Sequence, residues 1–329
     1  MQVHVHTDPT IFTTQAEEYT ALLTSADNPA FFMLPEYQAV WWHHLGEGEL
    51  EVLEFRSDKG TLVGLAPLYN HNGTYRLVGA VDVSDYLDII VTSAHKAEVY
   101  QALINYFHAK DAWEQLKLES LAHSSPTLTE LPALAAAQGW QTEQKQQDVC
   151  PVLALPANWE EYFSSLDLTV QKNFKRLLRS IGEEDEITYS VITSDNEIEA
   201  AMNDFILLHK QSGEEKKLFW DEKKEAFFKE LGKTLLTAGY LKLFFLSVND
   251  DRAAALMIFD WHNLYLLYNS GFNAYRYGHM GVGNALILHT IQQAIKEKKG
   301  IYDFMRGNES YKFQFRAQPQ NIFDLFITK

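Results

Sequence analysis

The sequence has one cysteine, Cys150, so no internal disulfide can form, which fits a reducing compartment. Cys150 precedes Pro151 in an apparent strand, Val149 to Leu155, where a buried structural thiol is expected rather than a nucleophile. Long apolar runs are missing: no stretch approaches the ~20 apolar residues of a membrane-spanning helix. Met1 to His6 has neither a basic start nor an apolar run, so no signal peptide is expected. These absences predict a soluble, cytoplasmic protein. Positive charge is also short. With 28 Lys and Arg against 44 Asp and Glu the net charge is −16, which speaks against nucleic acid as the main partner and against docking on anionic lipid. The 12 histidines show no HExxH or Cys/His spacing, so no metal is expected. There is no Walker lysine with its Ser/Thr, and no dinucleotide fingerprint after the first strand of a βαβ unit.

What is present is a globular composition. Apolar residues at 46% and aromatics at 13% argue against disorder. At 329 residues the chain suits two domains of roughly 150 residues each. The expected boundary lies near Pro156, giving halves 1–155 and 156–329. Each half mixes strands and helices. In the first, Leu50 to Arg56 and Thr61 to Tyr69 read as a hairpin about Ser57 to Gly60, and His95 to Lys110 reads as a helix before a strand at Trp113. Trp140 to Leu155 closes that half, with a Gln- and Glu-rich centre that reads as loop. In the second, Trp159 to Ile181 reads as one helix ended by Gly182, and Ser212 to Lys217 as a charged break. Strands Leu241 to Val248, Arg252 to Asp260 and Leu264 to Asn269 form a meander, and Ile322 to Ile327 a closing strand. The order of elements is similar in the two halves, as in a diverged internal duplication.

The stretch from Leu264 to Arg316 carries the chemistry. A buried strand leads to Gly278-His279-Met280-Gly281-Val282-Gly283-Asn284, which opens directly into an amphipathic helix with Leu286, Ile287, Thr290, Ile291, Ala294 and Ile295 on one face. Lys296, Lys298 and Lys299 stand at its end and Gly300 is the expected stop. Free amides and the positive end of the helix dipole favour an anion at such a start, although most glycine-bearing turns before helices are only turns. Ile301 to Met305 is a second strand, followed by the polar turn Arg306-Gly307-Asn308-Glu309-Ser310-Tyr311-Lys312. A second charged feature, Lys172-Asn173-Phe174-Lys175-Arg176-Leu177-Leu178-Arg179, reads either as a solvated helix face or as a contact for phosphate or an acidic substrate.

Gly278-x-x-Gly281-x-Gly283 resembles the pyrophosphate loop of the GNAT acyltransferase superfamily, and Tyr302-Asp303-Phe304-Met305-Arg306-Gly307 with Tyr311-Lys312 resembles a signature of its CelD/BcsL-like branch, which is related to the FemABX transferases. Gly278 departs from the Gln or Arg usual at the first loop position, which leaves one expected phosphate contact unfilled there, and Arg276 is close by in sequence. The resemblance implies tandem GNAT-like domains of mixed α/β (α+β) class, with the donor site in the second. It implies acetyl-CoA or another acyl-CoA as co-substrate, held by Gly278, Gly281, Val282, Gly283, Asn284 and Arg276. It implies Tyr311 as the acid for the leaving thiolate; Asp303, Glu309 and Asp85 are the candidate bases, with a salt bridge to Arg306 or Lys312 as the alternative for Asp303, and Arg306 and Lys312 are candidate contacts for an acidic acceptor. The Ser84-Asp85-Tyr86 phrase of the first half also resembles the branch, which raises Asp85 and Tyr86 above Asp82 and Asp88 as substrate contacts; an Asx-turn loop is the plainer reading. The expected reaction is acyl transfer to an amine or hydroxyl of a small molecule, sugar or polysaccharide precursor. The alternatives are a FemABX-like transfer from aminoacyl-tRNA and a non-catalytic binding protein on the same fold.

Overall fold

Two antiparallel meanders, each followed by a helix and a parallel strand, account for most of the backbone pairing. The computed structural model describes residues 1–26, 29–79, 82–181 and 186–329. Asn28, the residues at 80 and 81, and the expected helix stop at Gly182 lie outside the described residues. The chain divides into two units, Met1–Val149 with Gln320–Lys329, and Cys150–Pro319.

In the first unit β1 (Gln2–His6) is followed by α1 (Ile11–Thr14), α2 (Ala16–Ser25) and α3 (Pro35–Leu45). Strands β2 (Glu49–Arg56), β3 (Leu62–His71) and β4 (Thr74–Leu77) form the meander, with β1 antiparallel to β2. The short β5 (Ile90–Val91) pairs with β3. Helix α4 (Lys96–His108) then returns the chain, so that β6 (Gln115–Ala122) lies parallel to β4. Helix α5 (Pro126–Ala137) and strand β7 (Gln141–Ala154) follow.

The second unit repeats the order after two leading helices, α6 (Trp159–Ser165) and α7 (Leu168–Ile181). The break at Leu166 and Asp167 divides what the sequence presents as one helix. Strand β8 (Ile187–Ile192) precedes three helices, α8 (Ile198–Gln211), α9 (Glu214–Leu218) and α10 (Glu222–Thr237). The meander β9 (Leu241–Val248), β10 (Asp251–Trp261) and β11 (Leu264–Phe272) comes next, with β8 antiparallel to β9. Helices α11 (Ala274–Tyr277) and α12 (Val282–Lys296) lead to β12 (Ile301–Asp303), which is parallel to β11. Helix α13 (Ser310–Phe313) and strand β13 (Gln318–Thr328) close the described chain.

The closing strands do not pair where sequence proximity would put them. Strand β13 is antiparallel to β6, with Ile322 opposite Ala122, and the end of β7 is antiparallel to β12, with Val152 opposite Asp303. A cut at Pro156 therefore misplaces the last strand, which belongs to the first unit. An apolar run such as Ile322 to Ile327 shows that it is a strand but carries no mark of the edge it joins. The Gln-rich run 141–147 is also strand, not loop. Its side chains are mostly exposed, so no apolar alternation marks it in the sequence.

Helix α12 shows why the second unit is ordered. Leu286, Ile287, Thr290, Ile291, Ala294 and Ile295, the face read from the sequence, are all buried. The Thr290 hydroxyl meets the Tyr302 hydroxyl at 2.8 Å, tying the helix to β12. The helix ends at Lys296, and the turn is made by Lys298 at φ 59° rather than by Gly300. On the other side, α8 lies directly against β11 at Gly271, where a Cβ would fall 2.4 Å from the backbone nitrogen of His209. No helix among the described residues is long and apolar enough to cross a membrane. Gly271→Ala should force α8 off the sheet and cost about 1–3 kcal/mol, as overpacking does. A lower urea midpoint with an unchanged slope is the expected result.

Candidate active site

Strand β12 pairs with β11 for only three residues, ending at Leu266 opposite Asp303. Strand β11 runs on to Phe272, so beyond Leu266 the two chains part. A cleft of about 430 Å³ occupies the gap. One wall is residues 267–272 of β11, another is Gly283 and Asn284, and a third is Phe304, Arg306, Glu309, Tyr311 and Lys312; Lys216 also faces in.

The start of α12 is built for close approach. Gly281 is its N-cap, in the left-handed region at φ 67°, and no side chain caps the helix. The amides of residues 282–284 are the ones an α-helix leaves without intrahelical partners. The three glycines of the loop differ in their reasons. Gly281 is required by its φ and because a Cβ would meet Leu177 of α7 at 2.8 Å. A Cβ at Gly283 would make only ordinary contact with Phe272, at 3.8 Å, and at Gly278 it would meet nothing. Of the residues expected to hold a pyrophosphate, Gly283 and Asn284 line the cleft and Val282 is buried behind them. Gly278 and Arg276 do not line it. Arg276 is ion-paired with Asp251 at 2.6 Å, and the Tyr277 hydroxyl donates to the same carboxylate oxygen at 2.7 Å.

The polar turn after β12 is organised by Lys312. Its side chain is buried, and Nζ donates to the carbonyls of Met305, Arg306 and Gly307 at 3.2, 2.8 and 3.2 Å and pairs with Glu309 at 2.9 Å. Lys312 thus shapes the loop that carries Arg306 and Glu309. Asp303 lies behind the cleft wall, where its carboxylate accepts from the Met305 amide at 2.7 Å. Tyr311 stands in the cleft. Burial, with Glu309 beside it, holds its phenol above the ordinary value, and the Ser270 side chain acts in the opposite sense. It keeps its proton at neutral pH, as an acid must.

Asp85 and Tyr86 belong to the first unit, where Asp85 is buried. Their neighbour Ser84 meets the Tyr37 hydroxyl at 3.0 Å. Asp88 accepts from its own loop at Ile89 and from the Thr127 hydroxyl, 2.8 and 2.5 Å. The four cations of α7, Lys172, Lys175, Arg176 and Arg179, are all exposed.

Sequence reasoning missed Lys216. The charged run around it reads as a break, yet it forms α9 and turns one ammonium inward, 2.5 Å from the Ser270 carbonyl and 3.4 Å from its hydroxyl. Burial pulls that ammonium down to about 8; Glu309 opposes this and Lys312 adds to it. Only α9's inward face distinguishes Lys216 from Lys217, and a five-residue helix is too short to show periodicity. An amine reacts with an acylating reagent only when unprotonated. Labelling of the folded protein, mapped by peptide mass, should therefore reach half its limiting rate at Lys216 near pH 8. Unfolding, which removes the burial, should move that half-rate to a more alkaline solution.

Residues 169–313 match the model of the acetyltransferase (GNAT) domain. Solved structures similar to the chain over nearly its whole length include FemX, at 11% identity and a TM-score of 0.65, covering 98% of this chain and 97% of that one. L-PGS from Bacillus licheniformis has 10% identity and a TM-score of 0.58, covering 94% and 91%. A tandem GNAT protein from the clavulanic acid biosynthesis pathway, solved without AcCoA, has 11% identity and a TM-score of 0.50, covering 99% and 98%. Among curated proteins, none matches the sequence. At such identities the structures speak for the fold: this is a mixed α/β chain with a GNAT-like fold, and the stretch similar to the acetyltransferase (GNAT) model lies in its second unit.

Proposed function

We propose that the protein is an acyl-CoA-dependent acyltransferase of the CelD/BcsL-like branch, acting in the cytoplasm on an amine or hydroxyl of a small molecule, sugar or polysaccharide precursor. The observation that carries this is the parting of β11 and β12 beside an uncapped helix start. The parting leaves the stretch of strand edge before Ser270 open to an extended, amide-bearing chain, and the amides of residues 282–284 suit a pyrophosphate at its end. The signature from Tyr302 to Lys312 supports the branch, because its members here line or shape one cleft.

In this reading the acceptor's nitrogen or oxygen attacks the thioester carbonyl and the C–S bond breaks. Tyr311 gives its proton to the leaving thiolate, and Glu309, which lines the cleft, takes the proton of the acceptor. Asp303 contributes by fixing the turn through the Met305 amide rather than by reaching the substrate. Arg306 offers a cation for an acidic acceptor.

Transfer from aminoacyl-tRNA is the second reading. The exposed cations of α7 favour it, since Leu177 of that helix touches Gly281 and so brings them beside the helix start. The net charge of −16 opposes it.

Calorimetric titration of acetyl-CoA and CoA into wild type and Gly283→Asp separates these readings. The substitution leaves only ordinary packing contact and suits a helix N-terminus, but it sets a carboxylate among the amides. Binding of both ligands that weakens by more than tenfold in the variant is expected. No heat, together with retention of tRNA at low salt, would favour the second reading. Once an acceptor is known, Tyr311→Phe should lower kcat by roughly 10²–10⁴ while leaving CoA affinity unchanged.

A further inference from the structure

Strand β11 has an irregularity at the cleft. Met257 of β10 faces Asn269 while Ile258 faces Leu267, so Tyr268 is an extra residue. Such a bulge re-aims side chains. Here Tyr268 stacks on Phe228 of α10, and the next residue, Asn269, also reaches the helices, meeting His209 of α8. The close approach at Gly271 places His209 for this contact.

The direction of these hydrogen bonds follows from chemistry. The Trp220 indole N–H can only donate, and it lies 3.0 Å from His209 Nδ1, so Nδ1 is the acceptor. His209 is buried, and burial, with Lys216 nearby, depresses its imidazole to about 3 against the opposing bond to Asn269. It is therefore neutral with its proton on Nε2. That nitrogen stands 3.2 Å from Asn269 Oδ1 and donates to it. The carboxamide cannot flip without setting N–H against N–H. Its amide nitrogen is turned away from His209. Among the described residues nothing accepts from it, and Asn269 is a partly exposed residue of the cleft.

We propose that Asn269 donates from Nδ2 to the carbonyl oxygen of the acyl group being transferred, and that His209 and Trp220 are positioning residues that fix it in this orientation. The proposal rests on the acyl-CoA reading above. As the acceptor attacks the carbonyl carbon, the C=O π electrons move onto oxygen, and the N–H···O contact strengthens with the charge that develops there. When the oxyanion collapses the C–S bond breaks, and the thiolate takes its proton from Tyr311. A donor held in place before the charge appears costs no reorganisation during the step. The three side chains form a line of single-direction bonds whose far end, the indole, is outside the reaction.

The test is the carbonyl carbon-13 resonance of carbonyl-labelled acetyl-CoA bound to the full chain. In wild type it should be displaced downfield from that of free acetyl-CoA. Asn269→Leu and His209→Phe should return it toward the free value while CoA itself binds as in wild type, which also shows that the variants fold. His209→Gln, which keeps a donor toward Asn269, should restore the displacement. A bound resonance that is the same in wild type and in both disabling variants overturns the proposal and leaves the acyl-CoA reading standing. Failure of both acetyl-CoA and CoA to bind wild type overturns the acyl-CoA reading and this proposal with it.

Discussion

The second unit depends on where one ladder of strand pairs stops. Had β12 continued alongside β11, the backbone groups of residues 267–272 that point away from β10 would also be satisfied within the sheet and there would be no cleft. Because the ladder ends at Leu266 and Asp303, the groups of β11 beyond it that point away from β10 must find another partner or face solvent. The structure answers with side chains from the helices before the meander. Ser212 exchanges hydrogen bonds with the Phe272 amide and carbonyl, and Lys216 takes the Ser270 carbonyl. Helices α8 and α9 thus support the open edge and line the cavity it creates. Asp303, at the last paired position, fixes the departing chain through the Met305 amide.

The cleft's polar groups are arranged for different tasks by their surroundings. Lys312 is consumed by three carbonyls and a carboxylate, so its charge builds a loop. Lys216, with one carbonyl and a distant hydroxyl, keeps capacity to spare and holds its proton less firmly. Tyr311 is pushed the other way and holds its proton more firmly. Lys216 and Tyr311, in one cleft, are thereby shifted in opposite directions, because burial disfavours the charged form of each.

Much of this was legible in the residues. The alternation of strands and helices, the buried face of α12, the glycine turn before it and the polar turn with Arg306, Glu309, Tyr311 and Lys312 all carry local signals of period or composition. Most of what the sequence hid was non-local. Asp303 looks like a base because a carboxylate in a strand beside a cleft is unusual, and only the Met305 amide reveals its bond. Arg276 sits near the loop in sequence but is held by Asp251 from another strand turn. Asn269 lies 60 residues along the chain from His209, and nothing in the residues that flank Asn269, His209 or Lys216 marks them as parts of one site. The fate of the last strand was hidden for the same reason.

The traded positions of the closing strands bear on how the chain is made. Strand β6 gains its antiparallel neighbour only from residues 320–329, and β12 gains one from the end of β7. During synthesis the first unit therefore lacks this neighbour of β6, and a bare sheet edge is a template for pairing with other chains, until residues 320–329 have left the ribosome. The second unit has its β7 segment from the outset. Folding to completion thus runs against the direction of translation: the half made first is the half finished last.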